Sequence, residues 1–147
     1  MSAEVRRALD GTPWEESIGC ARAVAAGDRV LVAGTTAFRG TVLHGEGDPY
    51  EQAKAAFVNA VESIAVFGLD ARSVVRTRMY LTHTRDVEEV GRAHREIFGE
   101  VRPAATLVVV SGFVDPRILV EVELEAHRGP EAELGGRSAA PGEGGPT

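Results

Sequence analysis

Two stretches of the chain repeat apolar residues at the spacing of an α-helix. Before the first, Asp48 can cap the amino terminus and Pro49 suits the first helical position, while Gly68 suits the carboxyl-terminal cap. The second stretch spans residues 86–98. Their apolar stripes are Ala53, Phe57, Ala60, Val61, Ile64 and Phe67 in the first, and Val87, Val90, Ala93 and Ile97 in the second. We therefore predict two amphipathic helices.

Five other stretches are rich in β-branched residues or alternate apolar with polar side chains. Residues 19–24 and 29–34 flank the sequence AAGD, which is typical of a β-hairpin. Further strands are predicted over residues 73–82, 105–110 and 118–126. The order ββαβαββ predicts an α+β domain in which two helices pack on one face of a mixed sheet.

The ends of the chain differ from this domain, which we place at residues 17–128. Residues 1–16 are predicted to be an irregular arm, with Trp14, the single tryptophan, packed against the domain. Residues 129–147 are rich in glycine and proline, and such a composition predicts a disordered tail.

Two helices leave the second face of the sheet uncovered. Residues 105–110 are apolar on both faces, which predicts that this strand is buried from both sides. Because a soluble monomer rarely exposes so large an apolar surface, we predict a closed homo-oligomer whose sheets pack on one another. A binding site would then lie in a crevice between subunits.

Charge and composition narrow the possible partners. The net charge is −6 and Lys54 is the only lysine, which argues against a nucleic-acid partner. A single cysteine, Cys20, allows no intramolecular disulfide and suits a reducing cytoplasm. No apolar run has the length of a membrane span, and the four histidines lack the spacing of metal ligands. We therefore expect a cytoplasmic protein without a membrane partner, a metal or a cofactor.

Several motifs together resemble one known family. The hairpin AAGDRVLVAGTTA, the helix end AVFGLD, the segment ARSVVRTRMYLTHTRD and the strands RPAATLVVV and ILVEVELEA are similar to those of the RidA/YjgF family of reactive-intermediate (enamine/imine) deaminases. The resemblance covers roughly residues 14–127. It implies a chorismate-mutase-like α+β fold, a homotrimer, and clefts between subunits that bind small carboxylate-bearing ligands.

The chain departs from this family where the family binds its substrate. The deaminases have Pro-Ala-Arg-Ser where this chain has PAAT at residues 103–106, and the family's arginine holds the substrate carboxylate. Ala105 takes the arginine position, so the resemblance implies a loss of about 1.5–3 kcal/mol, or roughly ten- to a hundredfold in binding. Thr106 follows it in the presumed cleft. Cys20 and Ala33 likewise replace an aromatic residue and a serine of the family pattern.

One acid of the family pattern is retained. Glu121 matches the glutamate that orients the hydrolytic water, and it is our principal catalytic candidate. Because burying a carboxylate is costly, burial would raise its pKa and let it transfer a proton near neutral pH. Glu123 lies on the same side of the strand and is a candidate ligand contact. The alternative is that both acids lie on a solvated face or pair with arginines.

Two residues of the first predicted strand form a second group of candidates. Cys20 and Arg22 should share one face of that strand, where the guanidinium would favour the thiolate and make Cys20 a catalytic nucleophile. Arg22 could also replace the missing carboxylate clamp. The alternatives are that Cys20 is a small buried or pocket-lining residue and that Arg22 forms an ion pair.

Two functions remain open. The first is an enzyme that acts on a reactive imine, enamine or related amide, but not as a standard 2-iminoacid deaminase, because position 105 is alanine. The second is a non-catalytic trimer that binds a small metabolite. The older family label of ribonuclease is disfavoured, since the chain is acidic and lacks a basic, aromatic surface.

Overall fold

Strands and two α-helices alternate along residues 4–129, the part of the chain that the computed structural model describes. The tail predicted to be disordered lies, from residue 130 onward, outside the described residues. In chain order the elements are β1 (Arg6–Ala8), β2 (Ala23–Ala26), β3 (Arg29–Thr35), β4 (Phe38–Arg39), β5 (Val42–Leu43), α1 (Pro49–Ala65), β6 (Val74–Leu81), α2 (Val87–Phe98), β7 (Ala104–Val109) and β8 (Val120–His127).

Six of the strands form one mixed sheet in the order β1-β2-β3-β8-β6-β7. β6 and β7 pair in parallel, and the other neighbouring strands pair antiparallel. α1 packs on β3 and β8, and α2 packs beside α1. The predicted ββαβαββ core is therefore confirmed, with β1 and the small hairpin of β4 and β5 added to it.

The first helix begins as its capping residues predict. The Asp48 carboxylate accepts hydrogen bonds from the backbone N–H groups of Tyr50 and Glu51, both at 3.1 Å, and Pro49 is the first helical residue. The helix ends shortly before Gly68, whose φ of +80° suits a carboxyl-terminal cap.

The core lies between the helices and the sheet, and β8 shows how the sequence divides the two faces. Its apolar residues are buried under the helices, while its acids alternate with them and project to the other side. We call that other side the open face; on β8 it carries Glu121, Glu123 and Glu125. The buried residues of β8 are Val120, Val122, Leu124 and Ala126.

The amino-terminal segment differs from the prediction. β2 begins at Ala23 rather than at residue 19, because Glu15–Gly19 forms a π-helical turn. The Glu15 carboxylate stabilises this turn by accepting two backbone N–H groups of the preceding loop, at 2.8 and 2.9 Å. Arg6–Ala8, predicted to be irregular, pairs with β2 as β1. Trp14 is 51% exposed, so the prediction that it packs against the domain is wrong within one protomer.

The predicted burial of residues 105–110 from both sides is also wrong within one protomer. β7 is an edge strand, and it has β6 as its single neighbour in the sheet. Val108 and Val109 are 40% and 48% exposed, since no element of residues 4–129 covers this edge. An edge of this kind has unpaired backbone N–H and C=O groups as well as exposed side chains.

Candidate active site

A β-bulge interrupts the pairing of β3 with β8. Val32 pairs with Leu124 and Thr35 pairs with Val122, so two residues of β3 face a single residue of β8. Those two residues are 33 and 34. Bulges change the direction of a strand locally and are frequent next to active sites. Here the bulge places the backbone of residue 34 beside the next acid of β8.

That acid is Glu121, whose carboxylate lies directly over the backbone of Gly34. A Cβ atom built on Gly34 would be 2.1 Å from Oε2 of Glu121, far inside a normal non-bonded contact. The Glu121 side chain therefore occupies space that is free because residue 34 is glycine. This close approach fixes where the carboxylate sits on the open face.

Arg22 completes this group, and we call Arg22, Gly34 and Glu121 the Glu121 site. Nη2 of Arg22 donates a hydrogen bond of 2.6 Å to the Gly34 carbonyl oxygen, which satisfies a backbone acceptor at the bulge. Nε of Arg22 is buried and has no hydrogen-bond partner among residues 4–129. The guanidinium thus holds the bulge in place through Nη2, and the role of Arg22 as a replacement carboxylate clamp stays a prediction.

The environment of Glu121 favours its protonated form. Burial raises the pKa of Glu121 above the usual 4.5, and the charge of Glu123 raises it further, while the charge of Arg22 opposes both effects. The side chain is half-buried and, within residues 4–129, makes no hydrogen bond or ion pair. A carboxyl group in this state can hold a proton and release it closer to neutral pH than an exposed one.

The two other acids of the open face are already paired. The Tyr80 hydroxyl donates to Oε1 of Glu123 at 2.8 Å, and this hydrogen bond raises the pKa of Tyr80. Oε1 of Glu125 lies 2.6 Å from Nη2 of Arg29, and Arg78 approaches its Oε2 at 3.4 Å. The hydrogen bond from Arg29 lowers the pKa of Glu125. Glu121 differs from both because its carboxylate is left available.

A hollow of about 330 Å³ opens beside the Glu121 site on the open face. Ala33, the neighbour of Gly34, lines it, and the rest of its wall consists of apolar residues and three charged ones, Arg78, Glu123 and Glu125. Its volume is at the small end of the range for small-molecule sites. The structure therefore brings two of the predicted ligand contacts, Ala33 and Glu123, into one hollow.

The predicted site residues of β7 lie away from Glu121 in the same protomer. Ala105 is in register with Thr77, which is fully buried under the helices, so the Ala105 side chain points away from the open face. Thr106 is in register with Arg78 and faces the open side, but β6 separates it from β8. A single protomer does not join Ala105 to Glu121.

Cys20 lies on the turn before β2 and is exposed. Its Sγ is 3.7 Å from the carbonyl oxygen of Trp14, and this is its one polar contact within the described part of the chain. The prediction that Cys20 shares a strand face with Arg22 is wrong, because β2 starts at Ala23. The π-helical turn, which the β-rich sequence did not indicate, is the reason.

Neither a metal cluster nor a membrane-spanning helix is found in the described part of the chain. Among residues 4–129, no cluster of three or more histidine, cysteine, aspartate or glutamate side chains could hold a metal ion. Over the same residues, no helix has both the length and the apolar character needed to cross a membrane.

Gln52, which was not among the predicted site residues, positions the strand that carries Glu121. Gln52 is fully buried on α1; its Nε2 donates to the Arg117 carbonyl oxygen at 3.0 Å, and its Oε1 accepts from the Leu119 N–H at 2.9 Å. These bonds hold the segment that enters β8. The signal was present in the sequence as a polar residue beside the apolar stripe of the first helix.

Comparisons with known proteins agree with this architecture. The family model described as Endoribonuclease L-PSP matches residues 18–128. An uncharacterized protein of Streptomyces coelicolor is 66% identical over 128 residues, which are 87% of this chain and 96% of the relative. A RutC family protein of Pyrococcus abyssi is 28% identical over 110 residues, or 73% of this chain and 84% of the relative.

Solved structures show the same fold. A Mycobacterium tuberculosis member of the highly conserved YjgF/YER057c/UK114 family superposes with a TM-score of 0.76 at 32% identity, covering 84% of this chain and 99% of that one. TdcF of E. coli, solved with bound serine, superposes with a TM-score of 0.71 at 18% identity. The match covers 88% of this chain and 99% of TdcF. The predicted chorismate-mutase-like α+β fold is confirmed.

Proposed function

This chain belongs to the RidA/YjgF family, and we propose that it is a cytoplasmic small-molecule enzyme acting on a reactive imine, enamine or related amide. The observation that carries the proposal is the carboxyl group of Glu121, which is half-buried, unpaired within residues 4–129 and held over Gly34. The raised pKa of Glu121 supports a role in proton transfer.

For an imine the reaction is hydrolysis. The Glu121 carboxylate takes a proton from water while the water oxygen bonds to the C=N carbon, and the π electrons move to nitrogen, which receives that proton. The resulting carbinolamine then loses its hydroxyl proton to Glu121 as the C–N bond breaks. Nitrogen takes this proton and leaves as ammonia or an amine, so that one imine and one water give one carbonyl compound and one amine. Glu121 is regenerated as the carboxylate.

The substrate we propose is not a simple 2-iminoacid. Position 105 has a methyl group where the deaminases of the family have a guanidinium. The Arg22 guanidinium already donates a hydrogen bond to the Gly34 carbonyl oxygen. A carboxylate substrate would therefore lack a bidentate partner at position 105, worth about 1.5–3 kcal/mol, and Arg78 in the wall of the hollow already lies within ion-pair distance of Glu123 and Glu125. An uncharged or cationic imine does not need one, which favours that substrate class.

We also propose that the functional site is completed by a second copy in a homotrimer. Ala105 and Thr106 belong to the exposed edge strand β7, whereas Glu121 lies two strands away. A cleft containing all three residues requires β7 of one protomer to approach β8 of another. The unpaired edge of β7 and its exposed valines support this assembly. Sedimentation of the full chain should give three times the 15.6 kDa of one protomer.

The second candidate is a non-catalytic trimer that binds a small metabolite. The bound serine of TdcF supports small-molecule binding as a class, and the hollow beside Glu121 has room for such a ligand. We do not propose RNA cleavage, because the net charge of −6 and the three glutamates on the open face would repel the phosphates of RNA.

One assay separates the two candidates. Imines of several amino acids and amines are generated in situ by an oxidase, and their decay is followed with wild-type protein, with Glu121→Gln and without protein. Catalysis predicts a faster decay that Glu121→Gln abolishes. Equal decay in all three samples, together with calorimetric binding of a metabolite, would leave the non-catalytic binder as the function.

A further inference from the structure

A second concavity, of about 500 Å³, lies between the carboxyl-terminal end of α2 and the loop that leads into β7. Arg95, Phe98, Arg102 and Pro103 are among the residues that line it, and none of its lining residues belongs to β3 or β8. Within one protomer it is therefore separate from the Glu121 site. Its volume lies within the range of small-molecule binding sites.

Two arginines of this concavity have no acidic partner. Within residues 4–129, neither Arg95 nor Arg102 has a carboxylate oxygen within the 4.0 Å of an ion pair. Six other arginines of residues 4–129 do have one, namely Arg29, Arg39, Arg72, Arg78, Arg92 and Arg117. Free guanidinium groups in one concavity offer planar pairs of donors that match the oxygens of a carboxylate or phosphate.

The backbone of Arg102 points to a use for its side chain. Arg102 is the one non-glycine residue of the described chain with a positive φ, at 57°, and it precedes Pro103. The turn is held by its N–H, which donates to the Phe98 carbonyl oxygen at 2.8 Å. Glycine would adopt this left-handed conformation at lower cost. An arginine kept at a strained position is typical of a residue whose side chain has a function.

Two acids, Glu96 and Glu100, also line the concavity. Glu96 accepts a hydrogen bond from the Tyr50 hydroxyl and lies near Lys54 and Arg92, so its charge is compensated. Glu100 is the remaining acid of the lining, set against two unpaired guanidinium groups. The four charged lining residues sum to zero, so the positive excess around the concavity comes from Lys54 and Arg92, which lie beside Glu96.

We propose that this concavity binds a small metabolite through an oxyanion, a carboxylate or a phosphate, held between Arg95 and Arg102. The site goes beyond the proposed function, because it uses none of the residues around Glu121. Its occupant would be a ligand distinct from the uncharged or cationic imine of the Glu121 site.

Calorimetry on the full chain tests this proposal with two probes, sodium succinate and sodium phosphate, at constant ionic strength. Wild type should bind at least one of them, and the preferred probe distinguishes a carboxylate from a phosphate ligand. Arg95→Gln and Arg102→Gly should each weaken that binding about tenfold or more. The matched control is Arg85→Gln, which removes an exposed arginine that likewise has no acid within 4.0 Å among the described residues and does not line the concavity.

Arg102→Gly also separates binding from folding. Because glycine relieves the strain of the left-handed backbone, this variant should unfold at the same or a higher temperature than wild type. Its affinity for the anion should nevertheless be lower. The proposal is overturned if neither probe binds wild type, or if Arg85→Gln weakens binding as much as the two substitutions in the concavity. Loss of activity in Glu121→Gln would have no bearing on either result, so the two proposals fail independently.

Discussion

Replacing Gly34 by alanine moves the Glu121 carboxylate without removing it. The new Cβ atom would start 2.1 Å from Oε2 of Glu121, whereas real Cβ contacts are essentially never shorter than 3.0 Å. The carboxylate must therefore shift by about 1 Å, and a shift of that size in a reacting group costs roughly a hundredfold in rate. Gly34 does not have a left-handed φ, so alanine adds no backbone strain. We expect the free energy of unfolding to change by less than about 1 kcal/mol.

The assay is the decay of an imine generated in situ, with thermal unfolding measured on the same samples. Gly112→Ala is the matched control, because a Cβ atom at Gly112 meets no atom within 4 Å and its φ is also outside the left-handed region. That variant should keep the wild-type rate. A second readout needs no substrate: the displaced Glu121 carboxyl group should titrate closer to its usual value in a carboxyl ¹³C NMR experiment, since it loses part of its burial.

A double variant decides whether the alanine acts through the carboxylate. If it does, Gly34→Ala combined with Glu121→Gln should be no slower than Glu121→Gln alone, because the group being displaced has already been removed. If the rate of the double variant is instead reduced by the product of the two single reductions, this account is refuted and Gly34 has a separate role. A Gly34→Ala variant that keeps the wild-type rate would show that the position of Glu121 over the bulge does not matter for catalysis.

Four further outcomes are expected. In the proposed trimer, where β7 of one copy approaches β8 of another, Ala105→Arg should raise activity towards 2-iminoacids by roughly ten- to a hundredfold in kcat/KM, while Ala104→Arg, on the opposite face of β7, should not. Gln52→Ala should lower the free energy of unfolding in urea by about 2–4 kcal/mol, because two backbone groups entering β8 lose their partners. The pKa of Glu121 is raised in the folded protein, so stability should fall as pH rises from 4.5 through the folded pKa, and Glu121→Gln should remove that fall. Burial lowers the pKa of His94, so stability should be lost as pH drops below 6.5, and His94→Phe should flatten that slope in thermal unfolding.

Neighbouring residues in the sequence were enough to predict the helices and strands. The candidate site, in contrast, depends on how strands that are distant in the sequence pair with each other. The start of α1 follows from Asp48 and Pro49, which act on the backbone beside them. Glu121 was chosen because it matches a glutamate of the family pattern on a strand that is apolar on its other face, and its catalytic role stays a prediction. Its contact with Gly34 forms only when β3 pairs with β8, across most of the domain, and a bulge in that pairing has no local sequence signature here. Cys20 was misplaced for a related reason, since a π-helical turn stabilised by Glu15 overrides the β-rich composition around it.

Because position 105 has no arginine, the charges on the open face should favour a cationic substrate over an anionic one. Glu123 and Glu125 are compensated by Tyr80, Arg78 and Arg29, but Glu121 has only the more distant charge of Arg22 to oppose its own. An anion entering beside Glu121 would meet this carboxylate without a guanidinium at position 105. A protonated imine, in contrast, would favour the ionised form of Glu121 and pull its raised pKa downward. Binding of a cationic imine would thus favour the carboxylate form of Glu121, which is the form that activates water.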